Sequence, residues 1–204
     1  MKVGTDGVLL GAWANGGSRV LDVGTGTGII ALMMAQRFPE SRVTAVDIDE
    51  GAFRQAMANV QASPFANRIR VLHEQVQNHV GCYDAVVSNP PYFMDSLKAP
   101  DAQRSIARHA DMLTYSELMQ SARQLLSDEG ELSVVVPFDY RQRMEDEAIF
   151  AGLFLSRSCA VRTTEGKPAK RYLLAFRKHP CACEKELLTI GDEHYRHLTA
   201  DFYL

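Results

Sequence analysis

No apolar run in the 204 residues approaches the ~20 that a membrane-spanning helix needs, and the first residues lack the charged-then-apolar order of a secretion signal. A cytoplasmic protein with no membrane partner is the expectation. Cysteine is scarce as well: Cys82, Cys159, Cys181 and Cys183 show no C-x-x-C spacing, and at this length and density they do not make a disulfide scaffold, so reduced thiols are expected. Cys181 and Cys183 have neither a second cysteine pair nor a nearby pair of histidines, and no metal site is expected. Excess positive charge is missing too. A net charge of -3 excludes a protein that holds nucleic acid over its whole surface by charge, so any such contact is local. Arg104, Arg108 and His109 form one small basic cluster, and Lys167, Lys170 and Arg171 form another. Internal repeats, low-complexity tracts and linkers are absent, which leaves residues 1–204 as one domain, taken as a monomer. With 46% hydrophobic and 23% charged residues, that domain has an ordinary globular composition.

What is present alternates between two periods. Val20 to Val23 reads as a short buried strand, and a glycine-rich stretch leads from it into Ile29 to Ala35, whose length suits a buried helix. Arg42 to Asp47 is a second strand; Asp49 can cap a helix whose Phe53, Ala56, Met57 and Val60 fall at helical spacing. Further strands are expected at Ile69 to Leu72, Tyr83 to Val87 and Leu132 to Val136. Thr114 to Glu117 has capping-box spacing, and the helix it opens runs to Gly130. After a helix around Arg141 to Phe150, Leu153 to Val161 and Tyr172 to Phe176 flank a turn holding Gly166 and Pro168. The pattern predicts an α/β fold: a Rossmann-like, doubly wound, mostly parallel seven-stranded sheet with an antiparallel last strand. Phe93 to Leu113 has no convincing period, and a loop of that length inside a compact domain is usually functional or disordered.

Three places carry chemistry. Asp22-Val23-Gly24-Thr25-Gly26-Thr27-Gly28 lies where the first strand turns into the first helix, so glycines let the backbone approach a ligand at a positively polarised helix end. A dinucleotide fingerprint starting at Gly24 needs glycine at position 29, and Ile29 stands there, which disfavours a nicotinamide oxidoreductase. Asp47 ends the second strand about 20 residues further on, where a carboxylate accepts both hydroxyl protons of a ribose; Ile48 beside it is counted with the cofactor contacts, and Asp49 is left to cap the helix. Asn89-Pro90-Pro91-Tyr92 follows the fourth strand at the carboxyl edge of the sheet. Two prolines stiffen the segment and remove two backbone donors. The Asn89 side-chain oxygen and the Pro90 carbonyl can each take one hydrogen of an exocyclic NH₂, while the Tyr92 ring stacks on the planar group that bears it.

The acidic strand end followed by alternating glycines resembles the first motif of the class I methyltransferases. That likeness implies S-adenosylmethionine as cofactor and S-adenosylhomocysteine as product, with Asp22 facing the ammonium, Gly24, Gly26 and Gly28 forming the turn, and Gln75 standing where the family often has an Asp for the adenine amine. Asn-Pro-Pro-Tyr resembles the motif of adenine-amine methyltransferases and equally that of enzymes methylating a glutamine amide in release factors. The wider chain is more specific. Lys2 to Trp13, Ala107-Arg108-His109, Lys170 to Phe176 and Leu198 to Leu204 are similar to the bacterial tRNA1Val adenine-37 N6-methyltransferases. This resemblance implies tRNA as partner, a flipped adenine at Asn89, closure of Thr5 and Asp6 over the methionine end of the cofactor, and RNA contacts at Phe93, Arg104, Arg108, Lys170 and Arg171. Relatives of this kind carry residues before Lys2, so an N-terminal portion is expected to be missing here. The alternatives are a protein-glutamine methyltransferase and a module that binds cofactor without transfer.

Overall fold

In the computed structural model, residues 4–91 and 113–202 are described. They form one mixed sheet with helices on both faces. Strand β1 (Arg19–Val23) leads into helix α2 (Ile29–Arg37), preceded in the chain by α1 (Thr5–Trp13). Next come β2 (Arg42–Asp47), α3 (Glu50–Gln61), β3 (Ile69–His73) and β4 (Tyr83–Ser88). The second half holds α4 (Tyr115–Leu125), β5 (Leu126–Pro137), α5 (Arg141–Phe150), β6 (Phe154–Arg162), β7 (Arg171–Arg177), β8 (Glu184–Thr189) and α6 (Glu193–Thr199).

The sheet order is β3-β2-β1-β4-β5-β7-β6-β8. All neighbours pair in parallel except β7, which is antiparallel to both β5 and β6. The α/β class, the doubly wound parallel sheet and the antiparallel strand near the carboxyl end are as expected. Among the described residues the sheet has eight strands, one more than the seven expected. The added strand, β8, lies on the outer edge against β6, with Leu188 buried and Leu187 53% exposed. Its Glu-Lys-Glu start has the polarity of a protected edge strand, which no hydrophobic alternation betrays.

Successive side chains of a strand point to opposite faces, and each inner strand divides its apolar residues accordingly. Val20, Ala85, Val87 and Val135 pack with Leu9 and Trp13 of α1, Ile30 and Met34 of α2 and Val60 of α3. Leu21, Val86, Leu132, Val134 and Val136 face the other way, onto Leu118 and Met119 of α4 and Met144 of α5. Asp49 caps α3, its Oδ1 accepting from Ala52 N at 2.7 Å, and Thr114 with Glu117 completes a reciprocal capping box on α4.

Helix α4 stops at Leu125, five residues short of the expected end at Gly130. Leu126 is already extended and buried, and pairs with Tyr83; the register then jumps so that Glu131 pairs with Ala85. Ser127 to Gly130 bulge out in between. Gly130 is therefore a close-packing glycine and no helix stop: a Cβ there would lie 2.9 Å from the Tyr83 carbonyl oxygen and 3.1 Å from Ser127 N. Both are backbone atoms that cannot rotate away, so Gly130→Ala is expected to cost about 1–3 kcal/mol, as overpacking does. Urea unfolding checks this, and an unchanged midpoint would remove the packing role.

Candidate active site

A cavity of about 470 Å³ opens at the carboxyl ends of the parallel strands, within the size range of small-ligand sites. Strands β1 to β4 each supply wall residues at or just past their carboxyl ends. From β1 come Gly24 and Gly26, from β2 Asp47, Ile48 and Asp49, from β3 Glu74, Gln75, Val76 and Gln77, and from β4 Ser88, Asn89, Pro90 and Pro91. Leu113 and Glu117 close it from the approach to α4.

The turn after β1 is left-handed at Gly24 (φ 67°), Gly26 (φ 58°) and Gly28 (φ 81°), conformations in which a side chain is strained. Open space surrounds the position a Cβ would take at Gly24. Gly28 is the N-cap of α2 and packs against Ala56 of α3, so it shapes the turn without lining the cavity. The turn is tied down from two sides. Gly24 N and Thr25 N donate to the Val46 carbonyl at 2.9 and 3.1 Å, and Gly26 N donates to Asp47 Oδ2 at 2.9 Å. From below, Asp22 Oδ2 accepts from Thr25 Oγ1 at 2.6 Å and from Ala31 N at 3.1 Å.

Asp22 is fully buried beneath the turn, and its Oδ1 has no hydrogen-bond partner among the described residues. Asp47 is half-buried; its Oδ1 accepts from Asp49 N at 2.9 Å, and each of its oxygens keeps a second lone pair. Ile48 is 40% exposed and Gln75 is exposed, so both present surface to the cavity. The loop carrying Gln75 is anchored by His79, whose ring nitrogens meet Glu74 and the Tyr83 hydroxyl. Ser88 Oγ donates to the Val23 carbonyl at 2.9 Å, joining the ends of β4 and β1 directly under Asn89 and Gly24.

The cavity thus brings together Gly24, Gly26, Asp47, Ile48, Gln75, Asn89 and Pro90. Thr5 and Asp6 sit in the first turn of α1 and do not line it. Asp6 forms an ion pair with Arg171, which joins two residues that the sequence assigns to cofactor and to RNA respectively. Helix α1 does approach the site, since Gly7 packs beside Ile29 and the Asn89 amide. Lys170 is exposed on the turn between β6 and β7. Tyr92, Phe93, Arg104 and Arg108 lie outside the described residues.

Sequence reasoning missed Ser88, Glu117 and Gln77. The first could have been found as the residue closing β4. Glu117 is disguised by its part in the helix cap, where its carboxylate accepts from Thr114 N at 2.8 Å; this bond and the Thr114 hydroxyl hold its pKa below the ordinary carboxylate value.

The sheet order and the glycine turn define a Rossmann-like methyltransferase fold. The same architecture is seen in the crystal structure of protein Atu636 from Agrobacterium tumefaciens, described as a predicted O-methyltransferase. That chain superposes with a TM-score of 0.70 at 18% identity over 96% of each chain. Residues 4–154 match the methyltransferase small domain model. Two curated relatives, from Bacteroides thetaiotaomicron (46% identical) and Phocaeicola vulgatus (47%), align with all of this chain and 91% of their own lengths, and both are named tRNA1(Val) (adenine(37)-N6)-methyltransferase. The chain belongs to the tRNA1(Val) (adenine(37)-N6)-methyltransferase family within these small-domain methyltransferases.

Burial moves the Asp22 carboxyl from 3.8 up to about 7; Thr25 and Ala31 oppose the shift and the nearby Asp47 charge adds to it. In the unfolded chain the same group ionises near its ordinary value. Its contribution to stability is therefore complete below about pH 4 and is lost progressively as the pH rises towards 7. Asp22→Asn keeps an acceptor for Thr25 and Ala31 and removes the titration. Thermal melts of the ligand-free protein between about pH 4 and 8 should fall more steeply for wild type than for this variant. Parallel curves would show that Asp22 ionises freely.

Proposed function

We propose that the protein transfers the methyl group of S-adenosylmethionine to the N6 amine of adenine 37 in tRNA1Val. One observation carries the amine chemistry: Asn89, Pro90 and Pro91 line the same cavity as Gly24, Gly26 and Asp47. An acceptor edge with no backbone donor at either proline thereby faces the place where a nucleoside cofactor fits. The tRNA assignment is supported by relatives that carry that activity in their names and align with the whole chain.

The residues suit the cofactor. Asp47 has the spare acceptor capacity for a ribose diol, Gln75 for an adenine amine, and Ile48 offers an apolar surface for the ring. Open space over Gly24 admits a ligand close to the backbone; Asp22, buried beneath the turn and absent from the cavity wall, acts through the shape of the turn. When bound, S-adenosylmethionine supplies an electrophilic methyl group on a sulfonium.

The chain's own contribution is to the acceptor. An aromatic amine is a weak nucleophile because its lone pair is delocalised into the ring. Asn89 Oδ1 and the Pro90 carbonyl, taking one N–H each, favour the pyramidal, positively charging nitrogen over the planar ground state, which is differential binding of the transition state. Tyr92 gives the base a stacking surface. Holding the amine in one place supplies much of the remaining acceleration. The surplus proton leaves along the hydrogen bond to Asn89 or Pro90 and reaches water, so no strong base is needed. A glutamine amide is also a planar NH₂, and the acceptor edge alone does not separate the two carriers.

Incubation with labelled S-adenosylmethionine and unmodified tRNA, followed by digestion to nucleosides, tests the substrate. N6-methyladenosine from tRNA1Val is expected; label confined to a protein fraction would replace this reading with the glutamine one. Asn89→Ala should lower transfer by about 10²- to 10³-fold, as loss of one transition-state hydrogen bond does, while S-adenosylhomocysteine still binds. Wild-type turnover in that variant would take Asn89 out of the mechanism.

A further inference from the structure

The carboxyl edge of the sheet does not end at the cavity. Ser88 of β4 pairs with Val134 of β5, and three residues later β5 closes at Pro137, opposite Arg171 of β7. Strands stand about 4.8 Å apart, so the residues that follow Pro137 rise on the order of 10 Å from Asn89 along the same edge. The first of them is Phe138, 51% exposed. Its ring leans on Tyr172 at 6.1 Å between centroids and 37° between planes, and the Arg141 guanidinium lies 4.3 Å over the Tyr172 ring. Arg141 is itself held by Glu145, Nε to Oε1 at 2.5 Å.

This group is tied to its neighbours on two sides. Phe138 N donates to the Lys170 carbonyl at 3.0 Å, and Tyr140, two residues on, meets Tyr115 of α4 edge-on at 6.3 Å. Phe138 is nonetheless left with half its surface in solvent, although burial of an aromatic side chain is strongly favourable. The charges around it also run against local preference. Arg141 and Arg143 occupy the first turn of α5, which has no acidic residue there, although a helix start favours anions. Lys170 and Lys167 are exposed on the adjoining turn, and Asp139 is the exposed acid within the 138–140 segment. An exposed aromatic face backed by an aromatic–guanidinium stack and rimmed by cations has the composition of a single-stranded nucleic-acid platform, with stacking for the bases and cations for the phosphates.

We propose that Phe138, backed by Tyr172 and Arg141, is a stacking platform for an unpaired nucleotide of the RNA substrate beside the target adenine, with Arg143 and Lys170 on its phosphates. The inference rests on the RNA substrate proposed above. It assigns binding of the flanking strand to β5 and β7, beyond the residues that hold the reacting amine.

The test measures dissociation constants of the intact protein for unmodified tRNA1Val by fluorescence anisotropy, and for S-adenosylhomocysteine by calorimetry. Phe138→Ala is expected to weaken tRNA binding about 5- to 100-fold, the loss of one base stack, with S-adenosylhomocysteine affinity and Tm unchanged. Phe138→Leu retains the packing on Tyr172 but cannot stack, so it should lose tRNA affinity as Ala does, and Phe138→Trp should restore it. Tyr92→Ala serves as the separate probe of the target base. If both Phe138→Ala and Phe138→Leu bind tRNA within about twofold of wild type, or if Leu binds as wild type does, the platform is overturned. Wild-type transfer to tRNA is measured alongside: its absence would overturn the substrate assignment and the platform together, whereas its presence with unaltered variants would overturn the platform alone.

Discussion

The turn after β1 depends on a carboxyl group buried out of contact with solvent. Asp22 binds Thr25 and Ala31 from beneath and so joins the end of β1 to the first turn of α2 through its side chain. Three left-handed glycines are the most flexible material a chain can use, and a single backbone path through them must be imposed from outside. Asp22 imposes it from below, and Val46 with Asp47 from the side. Since Asp47 also lines the cavity, the group suited to the ribose is one of the groups that shape the turn. A ligand at Asp47 and the conformation of Gly26 are linked through one carboxylate oxygen.

A second buried acid stands away from the cavity and acts differently. Glu131 of β5 meets Arg157 of β6 at 2.8 Å, Arg177 of β7 at 3.0 Å and the Asn15 amide at 3.0 Å. Arg157 in turn lies 4.0 Å over the ring of Trp13 at the end of α1. Buried ion pairs of this kind add little net stability, because desolvation offsets most of their attraction, but removing one partner strands the others. Their value here is geometric. Glu131 pairs with Arg177 across the β5–β7 ladder, and a slip by one residue would leave the two side chains on opposite faces. The cluster therefore holds the register of the antiparallel strand on which Arg171 and Tyr172 depend for their positions at the opposite end.

Local chemistry was legible wherever one residue type has one physical use. Alternating glycines after a buried strand, an acid closing the next strand, a capping Asp49 and the Asn-Pro-Pro run all announce themselves, and the structure places them where a doubly wound sheet requires. What remained hidden was decided by partners distant in sequence. Leu126 continues the apolar face of α4 as well as it begins β5, and only its pairing with Tyr83 resolves the choice. Nothing near Asp6 or Arg171 discloses that they neutralise each other across 165 positions of chain. Glu117 is fully accounted for by its cap and gives no sign that it also faces the cavity. Strand β8 is held by backbone pairing, which side-chain patterning does not report.

The position of the cavity follows from the order of the strands. From β1 the chain winds outwards through β2 and β3, then returns to place β4 on the other side of β1 and continues outwards through β5. Loops leaving β1 and β4 consequently diverge to opposite sides, and a crevice opens between them at the reversal. Everything suited to the cofactor, Gly24, Gly26, Asp47, Ile48 and Gln75, comes from the half that winds one way. The acceptor edge, Asn89 to Pro91, and the aromatic rim at Phe138 and Tyr172 come from the half that winds the other. The methyl donor and its acceptor can therefore be altered independently, each on its own strands, while the Ser88 bond to Val23 keeps the two halves in register at the point where they meet. In the proposed reading, Asn89 to Pro91 at the end of β4 present the edge for a planar amine, and the molecule carrying that amine is selected further along the same edge.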